Sequence, residues 1–468
     1  MKMPYRGVPK EELVARMEQY RGADGDAAGS RLFSLVYGAR PDVLEVAKDA
    51  YLRFFSENAL NPMTFPSLRK FETEVLAMAQ DLMHAPEGAA GSMSSGGSES
   101  LLLAVKTARD WARVERPDVK EPEMLVPVTA HPALHKAAHM VGIKAILVPT
   151  RADFTADVDA ARALYSERTI LVVASAPQYP HGVIDPVTEL AALADSRGAL
   201  CHVDACIGGY FLPWVEKLGY EVAPWDFRVR GVTSISADLH KYAFAAKGAS
   251  TVLYRTRALR RYQHFVHADW PGGLFGSPSV LGTRPGGAIA AAWAVMNYLG
   301  EEGYLELAKR AMEATGKIKR GVAEIPGLTI LGKPVMSCIA IGADAAAAPG
   351  PTGQGVDLYV LGDRMQEKGW RMDRQQTPPS LHLTLSPAHE ALADQIVSDL
   401  RACTKDVLDS GAQAEGAAAM YGMLGQIPDR AVVREALLDF MDGIEAMANT
   451  AVDEAIVVAG ASASAKNP

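Results

Sequence analysis

Residues 229–254 carry the densest chemistry in the chain. The stretch opens on β-branched residues, passes through Ser236-Ala-Asp-Leu-His-Lys-Tyr, and returns to a β-rich run at Ser250 to Tyr254. That is the pattern of a strand, a loop and a strand, with Asp238, His240 and Lys241 in the loop. A lysine confined between two buried strands loses hydration, which disfavours its ammonium form and leaves an amine able to attack a carbonyl. Such an amine can hold pyridoxal 5′-phosphate as a Schiff base. Most lysines in strand-to-strand loops are simply solvated, so the cofactor reading depends on the rest of the chain.

Two glycine-rich loops offer a place for a phosphate. Gly91-Ser-Met-Ser-Ser-Gly-Gly-Ser-Glu-Ser runs into the strongly helical Leu101-Leu-Leu-Ala-Val-Lys-Thr-Ala-Arg. Glycines allow close backbone approach, serines bring hydroxyls, and the following helix turns its free N–H groups and positive dipole end toward the loop. The same residues fit a flexible linker with Ser98 as a plain N-cap. No Gly-Lys-Ser/Thr follows and G-x-G-x-x-G is absent, which excludes the common nucleotide loops. Gly282-Thr-Arg-Pro-Gly-Gly, ahead of the alanine-rich run Ala288 to Leu299, reads either as a second phosphate loop offered across a dimer interface or as a tight connection.

The elements that must position these residues alternate in type. Short apolar runs at Met124–Val128, Ala145–Val148, Thr169–Ser175, Leu200–Asp204 and Gly231–Ser236 are interleaved with helical runs at Pro132–Met140 and Pro186–Arg197. This βαβα order predicts a mainly parallel sheet with helices on both faces, whose ligands sit beyond the carboxyl ends of the strands. His131, Ser175, Asp204 and Lys241 each fall just past such an end. Singly, each has a plainer reading: His131 caps the next helix, Ser175 makes a turn, Asp204 pairs with an arginine. Four together at four strand ends point to a site.

The whole chain sets the bounds. Its 468 residues are nearly half apolar, enough for two or three domains. A formal net charge of −8 argues against nucleic acid as a partner. No apolar run is long enough to span a bilayer and the start lacks a signal-peptide core, so a cytoplasmic protein without a membrane anchor is expected. Cys201, Cys206, Cys338 and Cys403 form no C-x-x-C pair, and His135 and His139 lack a nearby carboxylate, so reduced thiols and no metal site are expected. Composition divides the chain into an N-terminal arm over 1–57, with an amphipathic segment around Lys10 to Tyr20, a large α/β domain over 58–302, a smaller α+β domain over 303–458 and a disordered tail over 459–468.

Taken together, Ser236-Ala-Asp-Leu-His-Lys-Tyr-Ala-Phe-Ala-Ala-Lys-Gly resembles the S-A-D-T-H-K-Y-G-x-x-x-K-G segment of the sphingosine-1-phosphate lyase family, in the group II decarboxylase superfamily of fold type I pyridoxal-phosphate enzymes. Phe65-Pro-Ser-Leu-Arg-Lys, Ser95-Gly-Gly-Ser-Glu-Ser, Ala130-His-Pro-Ala, Pro177-Gln-Tyr-Pro-His-Gly, His202-Val-Asp-Ala-Cys, Asp269-Trp-Pro-Gly-Gly and Gly282-Thr-Arg-Pro-Gly follow in family order. The resemblance implies a Schiff base on Lys241, Asp204 against the pyridine nitrogen and His131 stacked on the ring. Gly97, Ser98 and His240 would hold the cofactor phosphate, with Ser175 among the cofactor contacts. Gly282 and Thr283 would arrive from the second subunit of a homodimer whose site lies at the interface. Lys247 and Tyr37 would lie near the substrate's polar head. Asn61 stands where the family usually has a histidine expected near the substrate phosphate, and Met63 where it has an aspartate.

The expected activity is carbon–carbon cleavage of a phosphorylated sphingoid base to a fatty aldehyde and phosphoethanolamine. The alternative is decarboxylation of an amino acid on the same cofactor. A protein that keeps the fold but acts by binding alone is disfavoured by the retention of Lys241, Asp204 and His131.

Overall fold

Val-, Ile- and Leu-rich runs without polar alternation belong to strands covered on both faces, and here they build a seven-stranded sheet. The computed structural model describes residues 3–22, 24–25 and 30–443. The strands are β1 (Ala90–Ser94), β2 (Glu123–Pro127), β3 (Lys144–Val148), β4 (Thr169–Ser175), β5 (Leu200–Asp204), β6 (Ser234–Ala237) and β7 (Ser250–Tyr254). Their spatial order is β1-β7-β6-β5-β4-β2-β3. Neighbours from β6 to β3 run parallel, whereas β7 is antiparallel to both β6 and β1. All seven residues of β4 are buried.

Strand β1 was legible only as a loop, because Ala-Gly-Ser-Met-Ser carries little β-propensity. Its pairing with β7 explains the glycine: a Cβ on Gly91 would come within 2.5 Å of the Leu253 side chain and 3.0 Å of the Val252 carbonyl. The exposed hairpin of β8 (Phe265–Trp270) and β9 (Gly273–Ser277) likewise read as a glycine-rich loop.

The helices preceding the hairpin are α1 (Lys10–Arg21), α2 (Pro41–Arg53), α3 (Pro66–Leu82), α4 (Gly97–Glu115), α5 (Ala133–Val141), α6 (Val158–Leu164), α7 (Val187–Ser196), α8 (Leu212–Lys217) and α9 (Arg257–Arg260). The expected helix near the N-terminus is present as α1, and it buries none of its residues. Helix α10 (Gly286–Ala323) is broken at Gly300, where φ is +53°. Its first half packs with α2, α3 and α8 into the core under the large sheet.

A second core lies between an antiparallel sheet and the second half of α10. The sheet comprises β10 (Leu328–Ile330), β11 (Cys338–Ala343), β12 (Asp373–Gln376) and β13 (Pro379–Thr384), ordered β10-β11-β13-β12. Helices α11 (Leu358–Glu367) and α12 (Ala393–Ser410) cover it, and α13 (Gly416–Gln426) follows. The fold is therefore the large α/β domain with a smaller C-terminal domain and N-terminal helices that the sequence led us to expect. The 459–468 tail, expected to be disordered, lies outside the described residues. No helix among the described residues is long and apolar enough to cross a membrane.

One side chain of the N-terminal segment enters the second core. Phe33 is fully buried and stacks on His389 at 4.9 Å between ring centroids. Its backbone N–H donates to the Arg371 carbonyl at 3.2 Å and its carbonyl accepts from Thr384 N–H at 2.7 Å. Residues 34–37 are thereby led toward the large sheet. Phe33→Ala is expected to lower stability by ~3–5 kcal/mol, the usual range for emptying such a site, seen as an earlier urea midpoint by Trp370 fluorescence. An unchanged midpoint would mean that Phe33 does not anchor the segment.

Candidate active site

Parallel strands bring their carboxyl ends to one edge, and the register aligns the polar residues there. Ser175 pairs with Asp204, and Asp204 with Ser236, across β4, β5 and β6. These ends open into a cavity of about 600 Å³, within the usual range for a small-molecule site, lined in part by Tyr37, Gly97, Ser98, His131, Ser175, Asp204, His240, Lys241 and Lys247. Nine residues singled out from sequence thus share one wall or another of the same space.

Asp204 is buried and accepts the backbone N–H of Cys206 at 3.0 Å. The cationic partner expected of a buried strand-end carboxylate is absent among the described side chains. A buried anion is costly unless compensated, and a protonated pyridine nitrogen would supply that compensation. The Ser175 hydroxyl is also buried without a hydrogen-bond partner among the described residues. His131 Nδ1 accepts from Ala133 N–H at 3.1 Å at the start of α5, and the residue lines the cavity.

Lys241 departs from expectation. Burial is the strongest single influence and opposes its charge, but the Asp238 carboxylate, Tyr37 and Cys206 together raise the ammonium above its ordinary value. The two groups are 3.0 Å apart, and Asp238 is almost wholly buried. The same carboxylate lies 3.7 Å from His240 Nε2. Burial lowers the His240 imidazole despite Asp238, and its Nδ1 accepts from Ala249 N–H at 3.3 Å. Asp238 was visible in the loop but had no assigned role; the burial that makes it the partner of Lys241 has no signature in sequence.

The glycine-serine loop joins β1 to α4 and puts a helix start against this pair. Gly96, with φ of +159° and ψ of 172°, is the N-cap, so Ser98 is the second helical residue and not the cap. The N–H groups of Gly97 and Ser98 have no acceptor among the described residues, as the first turn of a helix requires. Glu99 fixes the loop from behind. Its carboxylate accepts from Ser95 N–H at 2.7 Å and the Ser95 hydroxyl at 2.6 Å, and on its other oxygen from Val280 N–H at 2.7 Å. A Cβ on Gly97 would fall 2.8 Å from Asp238 Oδ2 and 3.0 Å from Cys206 Sγ. The residues therefore fit a phosphorylated pyridine aldehyde: free helix N–H groups for the phosphate, Asp204 for the ring nitrogen, Lys241 for the aldehyde.

The outer part of the cavity is made by the N-terminal segment and the second sheet. Lys247 Nζ donates to the Leu35 carbonyl at 2.7 Å and the His240 carbonyl at 3.3 Å, and sits 5.2 Å from the Tyr37 ring centroid. Burial lowers its ammonium. Leu35 is held in the left-handed region, with φ of +66°, a strained conformation for leucine. Tyr179 and Asp373 complete this side. Asp373 was missed because it lies far along the chain in a polar strand, with no motif around it.

Asn61, Gly282 and Thr283 are exposed and do not line the cavity of the single chain. The Asn61 carboxamide oxygen accepts from Met63 N–H at 2.9 Å, which makes a local turn. The loops that carry these residues are tied together: Asn58 Nδ2 donates to Thr283 Oγ1 at 3.2 Å, and Ala59 N–H to the Arg284 carbonyl at 2.9 Å.

The pyridoxal-dependent decarboxylase conserved domain matches residues 54–341. Over 448 residues the chain is 43% identical to a sphingosine-1-phosphate lyase of Arabidopsis thaliana, covering 94% of this chain and 80% of the relative. Among solved structures, the sphingosine-1-phosphate lyase of Burkholderia pseudomallei matches with a TM-score of 0.81 at 36% identity, covering 87% of this chain and 94% of that one. A glutamate decarboxylase of Lactobacillus brevis, at 19% identity and a TM-score of 0.77 over 88% of this chain and 96% of its own, shares the fold.

Gly97→Ala is expected to fill the cradle against Asp238 and weaken cofactor retention at least about tenfold, which is ~1.4 kcal/mol, with the far-ultraviolet spectrum unchanged. Dialysis followed by absorbance of the retained cofactor measures it; full retention would show that the phosphate lies elsewhere.

Proposed function

Because this chain belongs to the pyridoxal-dependent decarboxylases and, among them, to the sphingosine-1-phosphate lyase family, we propose that this pyridoxal-phosphate-dependent enzyme cleaves the Cα–Cβ bond of a phosphorylated sphingoid base, releasing a fatty aldehyde and phosphoethanolamine. The observation that carries this reading is Lys247. It is a cavity ammonium that donates to backbone carbonyls and pairs with no carboxylate among the described residues. Its charge is therefore available to an incoming phosphate, and a charge-assisted hydrogen bond is about twice as strong as a neutral one.

In this reading Lys241 would hold the cofactor through its amine, and the Gly97 and Ser98 N–H groups, with His240, would hold its phosphate. His131 would lie against the ring, the Ser175 hydroxyl would bond the group, and Asp204 would favour a proton on the ring nitrogen. Pyridoxal 5′-phosphate supplies an electron sink for the pair left on Cα when the bond breaks. Lys247 binds the substrate phosphate, and Tyr37 hydrogen-bonds at the polar head.

Gly282, Thr283 and Asn61 enter this scheme through a homodimer. The bonded loops that carry them would cross together into the neighbour's site. The exposed Phe265, Val266, Trp270 and Leu274 of the β8–β9 hairpin give that assembly apolar surface to bury. Asn61 then offers the substrate a neutral amide in place of an imidazole, which leaves Lys247 as the main cation.

Product identification tests the reaction. Incubation with a phosphorylated sphingoid base and a panel of amino acids should yield aldehyde and phosphoethanolamine by mass spectrometry; CO₂ from an amino acid, with no aldehyde, would establish decarboxylation instead. Lys247→Met should raise KM for the phosphorylated compound about tenfold or more and leave an unphosphorylated analogue nearly unchanged, since a hydrogen bond to a charged group is worth ~1.5–3 kcal/mol. Equal effects on both compounds would remove Lys247 from the phosphate site.

The ring-nitrogen role has its own test. Asp204→Asn is expected to fold and load cofactor yet lose turnover by about two orders of magnitude or more, each ~1.4 kcal/mol of lost transition-state stabilisation being tenfold. Near-normal turnover in the loaded variant would rule the role out.

A further inference from the structure

Two tyrosines face the substrate side of the cavity, and they differ in where their protons can go. The Tyr37 hydroxyl has no hydrogen-bond acceptor among the described residues. Its ring is packed edge-on to Tyr242 at 5.0 Å, and Lys247 sits 5.2 Å from its centroid. Tyr179, in contrast, donates from Oη to Asp373 Oδ2 at 2.5 Å.

The second sheet fixes this pair from two directions. Asp373 on β12 and His382 on β13 are register partners. His382 stacks on the Tyr179 ring at 3.9 Å between centroids. Burial pushes the His382 imidazole down to about 4, so the stacking partner is neutral. Asp373 forms no ion pair among the described residues, and the Tyr179 hydroxyl is the donor to its side chain. Burial raises the Tyr179 phenol and the adjacent carboxylate raises it further, so the phenol keeps its proton and turns it toward Asp373. What remains toward the cavity is the oxygen as an acceptor.

We propose that Asp373 is a positioning residue that acts through Tyr179: by engaging the phenol's proton it presents the Tyr179 oxygen to the cavity as the acceptor for the substrate's 3-hydroxyl proton. The proposal rests on the lyase reading above. An isolated phenol is a poor base near neutrality, and a carboxylate at 2.5 Å gives its proton a destination. As the 3-hydroxyl proton moves to Tyr179 Oη, the Tyr179 proton moves to Asp373 Oδ2. The O–H bonding pair becomes the second bond of the aldehyde carbonyl, and the Cα–Cβ pair stays with Cα, stored in the cofactor ring. The cycle closes when Asp373 returns its proton to Tyr179 and Tyr179 gives one to Cα, so a single proton travels from oxygen to carbon and nothing is oxidised or reduced.

A double-mutant cycle in the full-length, cofactor-loaded enzyme tests it. Asp373→Asn and Tyr179→Phe should each lower kcat about a hundredfold, at the low end of what acid–base catalysis supplies, with KM within about threefold and cofactor absorbance retained. The double variant should be no slower than Tyr179→Phe, because Asp373 has nothing to act through once the hydroxyl is gone. Where Asp373→Asn does not fold, Asp373→Glu replaces it, with a smaller kcat loss expected to vanish in the Tyr179→Phe background. Multiplying losses, or a raised KM at unchanged kcat, would overturn the proposal and leave Asp373 as a scaffold or substrate contact. Aldehyde formation by the wild type with multiplying losses sinks this inference alone, whereas a wild type that forms no aldehyde sinks the lyase reading and the 3-hydroxyl step with it.

Discussion

The pair of half-buried Lys241 and buried Asp238, where β6 ends, constrains most of what surrounds it. Two opposite charges taken out of water are tolerated only with good geometry and further hydrogen bonding. Asp238 meets that demand through Lys241 at 3.0 Å and the nearby His240, and its backbone N–H donates to the Cys206 carbonyl at 3.3 Å. The Cys206 N–H in turn caps the Asp204 carboxylate. The two carboxylates at adjacent strand ends are thus joined by one residue. The helix start packed against them must carry glycine at 97, since any side chain there would meet Asp238. One Asp238 oxygen nevertheless lacks a partner, which is the kind of unsatisfied buried atom found where a ligand completes the site.

The strand ends of the large sheet form one side of the cavity, and Asp373 of the second sheet lines another. Among the contacts that bind the large domain to the second core, three bear on the cavity. Phe33 anchors the segment that bears Tyr37. Gly182, just after Tyr179, lies so close to β11 that a Cβ would sit 1.8 Å from the Cys338 carbonyl. Asp373 and His382 clamp Tyr179 from β12 and β13.

Sequence reading succeeded where one local physical rule governs. Apolar runs without alternation marked the buried strands β2, β4 and β5 to within a residue or so, and the rule that ligands gather at strand carboxyl ends brought His131, Ser175, Asp204 and Lys241 into one site before any coordinate was known. It failed where the rule is not local. Strand β1 is made of residues with little β-propensity and exists because β7 is beside it. Helix α1 forms from its own propensity yet finds nothing to pack on among the described residues.

What the sequence by itself determined was the alternation of the central strands and helices, the lysine, the glycine-rich loop and the family that these motifs identify, because each is written in contiguous residues. What only the tertiary structure decided was the electrostatics. Lys241 lies 3.0 Å from the buried Asp238; Asp204 lines the cavity with no cation paired to it among the described residues; Tyr179 meets a carboxylate 194 positions away; and Asn61, Gly282 and Thr283 stay outside the single chain's cavity. Charge states and partners depend on distances between segments remote in the chain and on the water excluded when they meet, and neither quantity is recorded in the order of the residues.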